Sequence, residues 1–213
     1  MKLINKMKTK LSRKRAISTV LTTVIILVSS VVLGSGVVLY GTSLFQSGTQ
    51  QENISATGIK LWVHTTSEDG SAWGAAKVRN TGDKLVSIDK IQIRGTDIPF
   101  SRWYPDTSVN STTFQQALNF TSWDSKAGLM ANTTSVCGGV VALSIRLSPD
   151  TDFCANAASG PVSLVPGQAS IIYFHLVNGT LTSLDSGANT AVNIYAGKAG
   201  APQTVTVEGK DIP

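Results

Sequence analysis

Residues 13–40 read RKRAISTVLTTVIILVSSVVLGSGVVLY, and the switch at Ala16 from three consecutive basic residues to an apolar run decides the architecture. No charged residue occurs from Ala16 to Gln51. As a helix rising 1.5 Å per residue, Ala16–Leu39 covers about 36 Å, enough to cross a hydrocarbon core of about 30 Å. Upstream, Lys2, Lys6, Lys8, Lys10, Arg13, Lys14 and Arg15 crowd into fifteen positions that contain no acid. Positive charge is retained on the cytoplasmic side, so this order predicts a cytoplasmic N-terminus and export of everything beyond about residue 50.

Working outward, the whole chain has 213 residues, 42% of them apolar and 15% charged, which excludes a disordered polypeptide. The length suits one domain or one and a half. Two cysteines are too few for a disulfide-scaffold miniprotein. The net charge of +5 raises the question of a nucleic-acid partner, but after residue 15 the chain carries 11 basic and 13 acidic residues, a balance of −2. The basic character belongs to a short N-terminal tag, and no nucleic-acid partner is expected.

Two ordinary readings of this N-terminus compete. A secretory signal peptide has a shorter apolar region, about 7 to 15 residues, then a small-residue cleavage site. Gly34-Ser35-Gly36 imitates such a site, yet apolar sequence continues through Val37, Val38, Leu39 and Tyr40. A plain single-pass anchor is the other reading, and hydropathy alone does not separate it from a specialised one.

The junction Arg13-Lys14-Arg15-Ala16-Ile17-Ser18-Thr19-Val20 resembles the class III signal peptide of archaeal type IV pilins and archaellins. The resemblance covers roughly residues 10 to 50. It implies cleavage by a prepilin peptidase between Ala16 and Ile17, with Lys14 and Arg15 as the basic recognition residues. Residues 1–16 are then the leader, and 17–50 a transmembrane helix that becomes a filament core. Bacterial pilins usually have Glu at the fifth mature position, where this chain has Leu21, so the match is to the archaeal pattern. The start Ile17-Ser18-Thr19-Val20 is closer to pilin than to archaellin helices.

Removing the +7 leader leaves a helix that enters a bundle without burying Lys or Arg, each costly when desolvated and unpaired. Exchanging lipid for identical helices changes apolar exposure to water little, so packing must decide. Gly34, Gly36 and Gly41 allow close helix packing; Thr19, Thr22, Thr23, Ser29 and Ser30 form a partial hydroxyl stripe. The blander account of those hydroxyls, favoured here, is bonding to carbonyls a turn back. The helix is expected to end between 48 and 56, with 51–56 as linker.

From residue 57 to 213 short alternating runs punctuated by Gly, Asn and Pro predict an extracellular β-sandwich of seven or more strands. The apolar sets are Ile59/Leu61/Val63, Val141/Leu143/Ile145/Leu147, Ile172/Phe174/Leu176 and Val205/Val207. A parity switch between Ile88 and Ile91 predicts a bulge at Asp89-Lys90. The phrase Val78-Arg79-Asn80-Thr81-Gly82-Asp83-Lys84-Leu85-Val86-Ser87-Ile88 reads as a hairpin and resembles one in archaeal pilin and archaellin outer domains, which implies an immunoglobulin-like sandwich. The fold class is therefore α+β: a long N-terminal apolar helix, then an all-β domain. Residues 96–135 have weak periodicity and six aromatics (Phe100, Trp103, Tyr104, Phe114, Phe120, Trp123), expected to fold back onto the sandwich.

Cys137 and Cys154 both fall on the exported side, where a disulfide is the natural reading and a metal-binding thiol pair the lesser one. Closing that 17-residue separation contributes about 3 kcal/mol in the chain-entropy model. Sequons at Asn53, Asn110, Asn119, Asn132 and Asn178 are candidate N-glycosylation sites, with bare asparagines in turns as the alternative. His64 and His175 sit on predicted strands, no catalytic motif is present, and Asp150-Thr151-Asp152 lacks the pattern of a calcium loop. No enzyme activity, metal or cofactor is expected.

The function expected from the resemblance is a structural subunit of an archaeal surface filament of type IV pilus type, serving adhesion or motility. An archaellum filament subunit is the first alternative, and a membrane-anchored extracellular binding protein that does not polymerise the second. Implied partners are further copies or related pilins, the prepilin peptidase, an assembly ATPase with its membrane platform protein, and the membrane before assembly. The expected location is the cell membrane for the precursor, then the extracellular filament.

Overall fold

The computed structural model describes residues 2–49, 51–65, 71–120, 143–149 and 151–210, and within the first helix the side chains from Ser18 to Leu44. Trp123, Asn132, Cys137, Val141 and Asp150 therefore lie outside the described residues. The chain divides into two compact units, Met1–Thr49 and Gln50–Pro213.

The first unit is one helix, α1 (Lys2–Thr49). Its Val- and Ile-rich sequence is a poor helix former in water, but in an anhydrous setting a helix satisfies each backbone group within its own segment. It stops within the expected window, just before Gln51 and Glu52.

The second unit contains, among the described residues, β1 (Ile54–His64), β2 (Ala72–Asn80), β3 (Val86–Ile93), β4 (Thr96–Asp97), β5 (Trp103–Asp106), β6 (Leu143–Ser148), β7 (Thr151–Ala155), β8 (Val162–Leu164), β9 (Ala169–His175), β10 (Asn189–Ala196) and β11 (Ala199–Lys210). A short helix, α2 (Ser111–Gln115), lies between β5 and β6. One sheet runs β11–β1–β2–β9–β5; the other runs β4–β3–β10–β11, with β8 also beside β3. β11 joins the two. Its Ala199–Thr206 part pairs antiparallel with β10, and its Val207–Lys210 part pairs parallel with β1. The fold class is α+β as expected, a helix followed by a sandwich, although this parallel seam departs from a purely antiparallel domain.

Alternation explains which faces meet. Leu61, Val63, Ala76, Val78, Ile172 and Phe174 from the first sheet pack with Ile88, Ile91, Ile93, Val192 and Ile194 from the second in one core. The predicted bulge is present: Tyr195 pairs with Lys90 and Ala196 with Ile88, skipping Asp89, so Ile88 and Ile91 both face inward. Gly74 is required where β2 crosses this core, because a Cβ there would sit 2.2 Å from Phe174 and 2.8 Å from Leu61.

The opposite face of the first sheet is buried as well. Trp62, Trp73, Ala75, Ile171 and Tyr173 form a second core with Leu118, Leu143, Ile145, Leu147 and Phe153. The β6–β7 hairpin, with Leu118 and the residues around α2, thus makes a third layer. Among the described aromatics of the 96–135 connection, Tyr104, Phe114 and Phe120 fold back onto this face as expected. Phe120 lies 5.8 Å from Trp62, Tyr104 5.4 Å from Trp73, and Tyr173 donates to the Asn119 carbonyl at 2.9 Å. Phe100 and Trp103 instead pack edge to face at 4.8 Å beside the inter-sheet core.

Two expectations need correction. The stretch around Asn80-Thr81-Gly82-Asp83 is not a hairpin: β2 pairs with β1 and β9, whereas β3 pairs with β10, β4 and β8, so the chain changes sheets there. The corner is held by Asn80, which has no exposed surface. Its amide nitrogen donates to the carbonyls of Lys84 (2.7 Å) and Leu164 (2.9 Å), and its oxygen accepts from the Gly82 amide (2.9 Å). Nor are residues 51–56 a free linker. β1 begins at Ile54, and the carbonyls of Gln51 and Asn53 accept from the amides of Asp83, Thr81 and Gly82.

The parallel seam has its own lock. Glu208 on β11 accepts from Lys60 and, at 3.3 Å, from the Trp62 indole, both on β1, and Lys210 stands 3.7 Å away. Burial pushes the Glu208 carboxyl up, but the hydrogen bond and charge of Lys60, the charge of Lys210 and the Trp62 N–H together outweigh it and hold it below the usual range.

Two outcomes follow, both measurable by urea unfolding of the full chain in detergent. Asn80→Ala should lower stability by about 1 to 3 kcal/mol, because the buried Leu164 carbonyl and the Lys84 carbonyl lose the Asn80 amide and the corner loses its tie to β8. Because Glu208 titrates lower folded than unfolded, its contribution is complete above the ordinary carboxylate pKa and is lost as pH falls through the folded one. The stability gap between the unaltered chain and Glu208→Gln should therefore be present at neutral pH and close between about pH 5 and 3.

Candidate functional site

Ser18–Leu44 is a 27-residue stretch apolar enough to cross a membrane, and none of it is buried against the rest of the chain. At 1.5 Å per residue it extends about 40 Å. Val20, Ile26, Leu33, Val37 and Leu39 all project fully outward, so the apolar surface encircles the helix instead of forming one stripe. Such a surface is stable only in lipid or inside a bundle.

Five of its hydroxyls are satisfied internally. Thr22 donates to the Ser18 carbonyl, Thr23 to Val20, Ser30 to Leu27, Ser35 to Val32 and Thr42 to Leu39, at 2.8 to 3.0 Å. These are the bonds one turn back that the favoured reading predicts, and they let Ser and Thr face hydrocarbon without an open donor. The helix glycines have no such internal reason. A Cβ at Gly34, Gly36 or Gly41 would meet nothing within 4 Å, although Gly in a helix costs about 1 kcal/mol relative to Ala. Lys14, Arg15, Ala16 and Ile17, the residues expected to direct processing, lie on the α1 backbone, ahead of the described side chains.

Where the sandwich begins, the chain is fastened twice. Besides the bonds from Gln51 and Asn53 to the 81–83 corner, the Glu52 carboxylate accepts from the Lys198 amide at 3.1 Å in the β10–β11 turn. Gly82 must be glycine there, since a Cβ would sit 2.3 Å from the Gln51 carbonyl oxygen. Sequence reading missed this clamp. Its one visible signal is that Glu52 is the first charge after 36 uncharged residues.

The sequons separate by what their amides already do. Asn110 caps α2, accepting from the Thr113 amide at 2.8 Å. Asn119 donates its Nδ2, the atom that would carry a glycan, to the Leu147 carbonyl at 3.2 Å. Asn53 and Asn178 are exposed, the latter in the turn closed by Thr180 N–H to Val177 O at 3.0 Å. Asn132 lies outside the described residues. Cys154 on β7 is disulfide-bonded; Cys137, the only other cysteine in the sequence, also lies outside them.

Asp152 is engaged by Arg146 across the β6–β7 hairpin at 3.1 Å, not left open for a cation. His175 stacks on Trp73 at 5.0 Å, and burial together with nearby Arg102 pushes its imidazole down to about 4. Among the described residues no three His, Cys, Asp or Glu side chains are grouped to hold a metal.

Fold and site together define a class of protein: an N-terminal helix long and apolar enough for a membrane, followed by a layered β-sandwich. No family model and no curated protein matches the chain. The sequon geometry is open to direct measurement. Asn119→Ala should cost about 1 kcal/mol in chemical denaturation by releasing the Leu147 carbonyl, whereas Asn178→Ala should leave the midpoint unchanged within error.

Proposed function

We propose that this chain is the subunit of an extracellular filament of the archaeal type IV pilus kind, assembled through α1 after removal of residues 1–16. The observation that carries this reading is the 27-residue apolar helix with no surface buried in its own chain. Behind its cleavable-looking junction stand three glycines with no steric role inside the molecule. A single-pass anchor also needs an apolar helix, but it gains nothing from glycines that weaken that helix by about 1 kcal/mol each. Close approach of neighbouring helices, where van der Waals packing drives association, gives them a purpose.

In this scheme the leader keeps each precursor in the membrane until the prepilin peptidase cuts after Ala16. The new start at Ile17, which carries no charged side chain, then enters the core of a growing polymer of like subunits, driven by an assembly ATPase on its platform protein. The sandwiches form the outer surface. The Ile17-Ser18-Thr19-Val20 start favours a pilus over an archaellum filament.

The test is mass spectrometry of filaments sheared from the cells that make this protein. The N-terminal peptide should begin at Ile17, and Ala16→Phe should abolish both processing and filament incorporation. A chain found only in membranes with its leader intact overturns the proposal in favour of a tethered binding protein.

A further inference from the structure

Asn178-Gly179 is the only Asn-Gly pair in the sequence, and it occupies the exposed turn after β9. Three features set it apart from the other asparagines. The Asn178 side chain makes no hydrogen bond among the described residues, while those of Asn80, Asn110 and Asn119 are all engaged. The Gly179 amide likewise donates to nothing, since the turn is closed by Thr180. Gly179 stands at φ +81° with open space around the position a Cβ would take. Nothing therefore shields either reacting group, and glycine gives this peptide the widest backbone freedom to bring them together.

We propose that Asn178 is a site of spontaneous deamidation. The Gly179 backbone nitrogen, on losing its proton, attacks Cγ of Asn178. The N–Cγ bond forms, the Cγ–Nδ2 bond breaks, and Nδ2 leaves as ammonia with the proton that Gly179 gave up. The resulting five-membered imide is opened by water at either carbonyl, giving aspartate or isoaspartate at position 178. Only water is consumed.

The other three described sequon asparagines resist by two means. Asn53, Asn110 and Asn119 are followed by Ile54, Ser111 and Phe120, whose side chains crowd the attacking nitrogen, and two of the three are also held by hydrogen bonds. The same Nδ2 that leaves is the atom a glycan would occupy in the sequon Asn178-Gly179-Thr180. The two fates exclude each other. Deamidation erases the acceptor and adds one negative charge to a body already at −2. The Thr180 carbonyl of this turn accepts from Arg94 at 3.4 Å, so the new carboxylate arises close to a cation.

The experiment incubates the unglycosylated full chain in detergent at neutral and mildly alkaline pH and follows digests by fragmentation mass spectrometry. The amide-to-acid mass gain should appear first and fastest at Asn178, split between aspartate and isoaspartate isomers, and should accelerate with pH. Asn178→Gln should abolish it, because the longer side chain closes a six-membered imide far more slowly. Equal gain at Asn156, Asn189 or Asn193, or none at Asn178 while others convert, overturns the proposal.

Discussion

The constraint on which the molecule depends is that Ser18–Leu44 of α1 is apolar on every side. Twenty-seven such residues demand a non-aqueous environment. That demand explains why the hydroxyls of Thr22, Thr23, Ser30, Ser35 and Thr42 turn back on their own helix. It also explains why the basic residues stop at Arg15: one Lys within the run would have to be desolvated or neutralised wherever the helix is buried.

The sandwich is built to receive the chain firmly. Gln51 and Asn53 hydrogen-bond to the corner where β2 passes into β3, and Glu52 to the turn joining β10 and β11. Each of these is a place where the second sheet begins or reverses, so the residues just after α1 are tied to both layers within three positions. A pull arriving at residue 51 is thereby shared between β1, which continues from it, and the β2–β3 corner, instead of peeling one strand. The Lys60–Glu208–Lys210 set at the far end of β1 secures the parallel seam that closes the sandwich.

Legibility in the sequence followed the range of the interactions. The helix and its end were plain from charge and hydropathy, and the bulge at Asp89 from a parity change within one strand, because these are local. The pairing of β2 with β9 is nearly a hundred residues long in sequence terms, and a turn-like Asn-Thr-Gly-Asp cannot say whether its flanking strands join each other or different sheets. Asn80 resolves this only through its bond to the Leu164 carbonyl, 84 residues away. The third layer was hidden for a related reason: Trp62 and Trp73 alternate with inner-core residues as a two-sided sheet requires, but nothing local names what covers the second side. At the Arg15-Ala16 junction the order of residue types is all there is to read, and the proposed recognition by a peptidase would belong to another protein.

The sequons show how chemistry depends on more than a motif. All five asparagines carry the same acceptor pattern, yet Asn119 spends its Nδ2 on the β6–β7 hairpin and Asn110 its oxygen on a helix cap. A bulky group on Asn119 would have to displace the bond to Leu147 and disturb Tyr173, whose hydroxyl rests on the Asn119 carbonyl beneath the second core. Asn178, whose side chain bonds to none of the described residues, has both its nitrogen and its carbonyl carbon available. The proposed fate of Asn178 is then a matter of rates: whichever reaches the amide first, an enzyme carrying a glycan or the neighbouring glycine nitrogen, closes the route to the other.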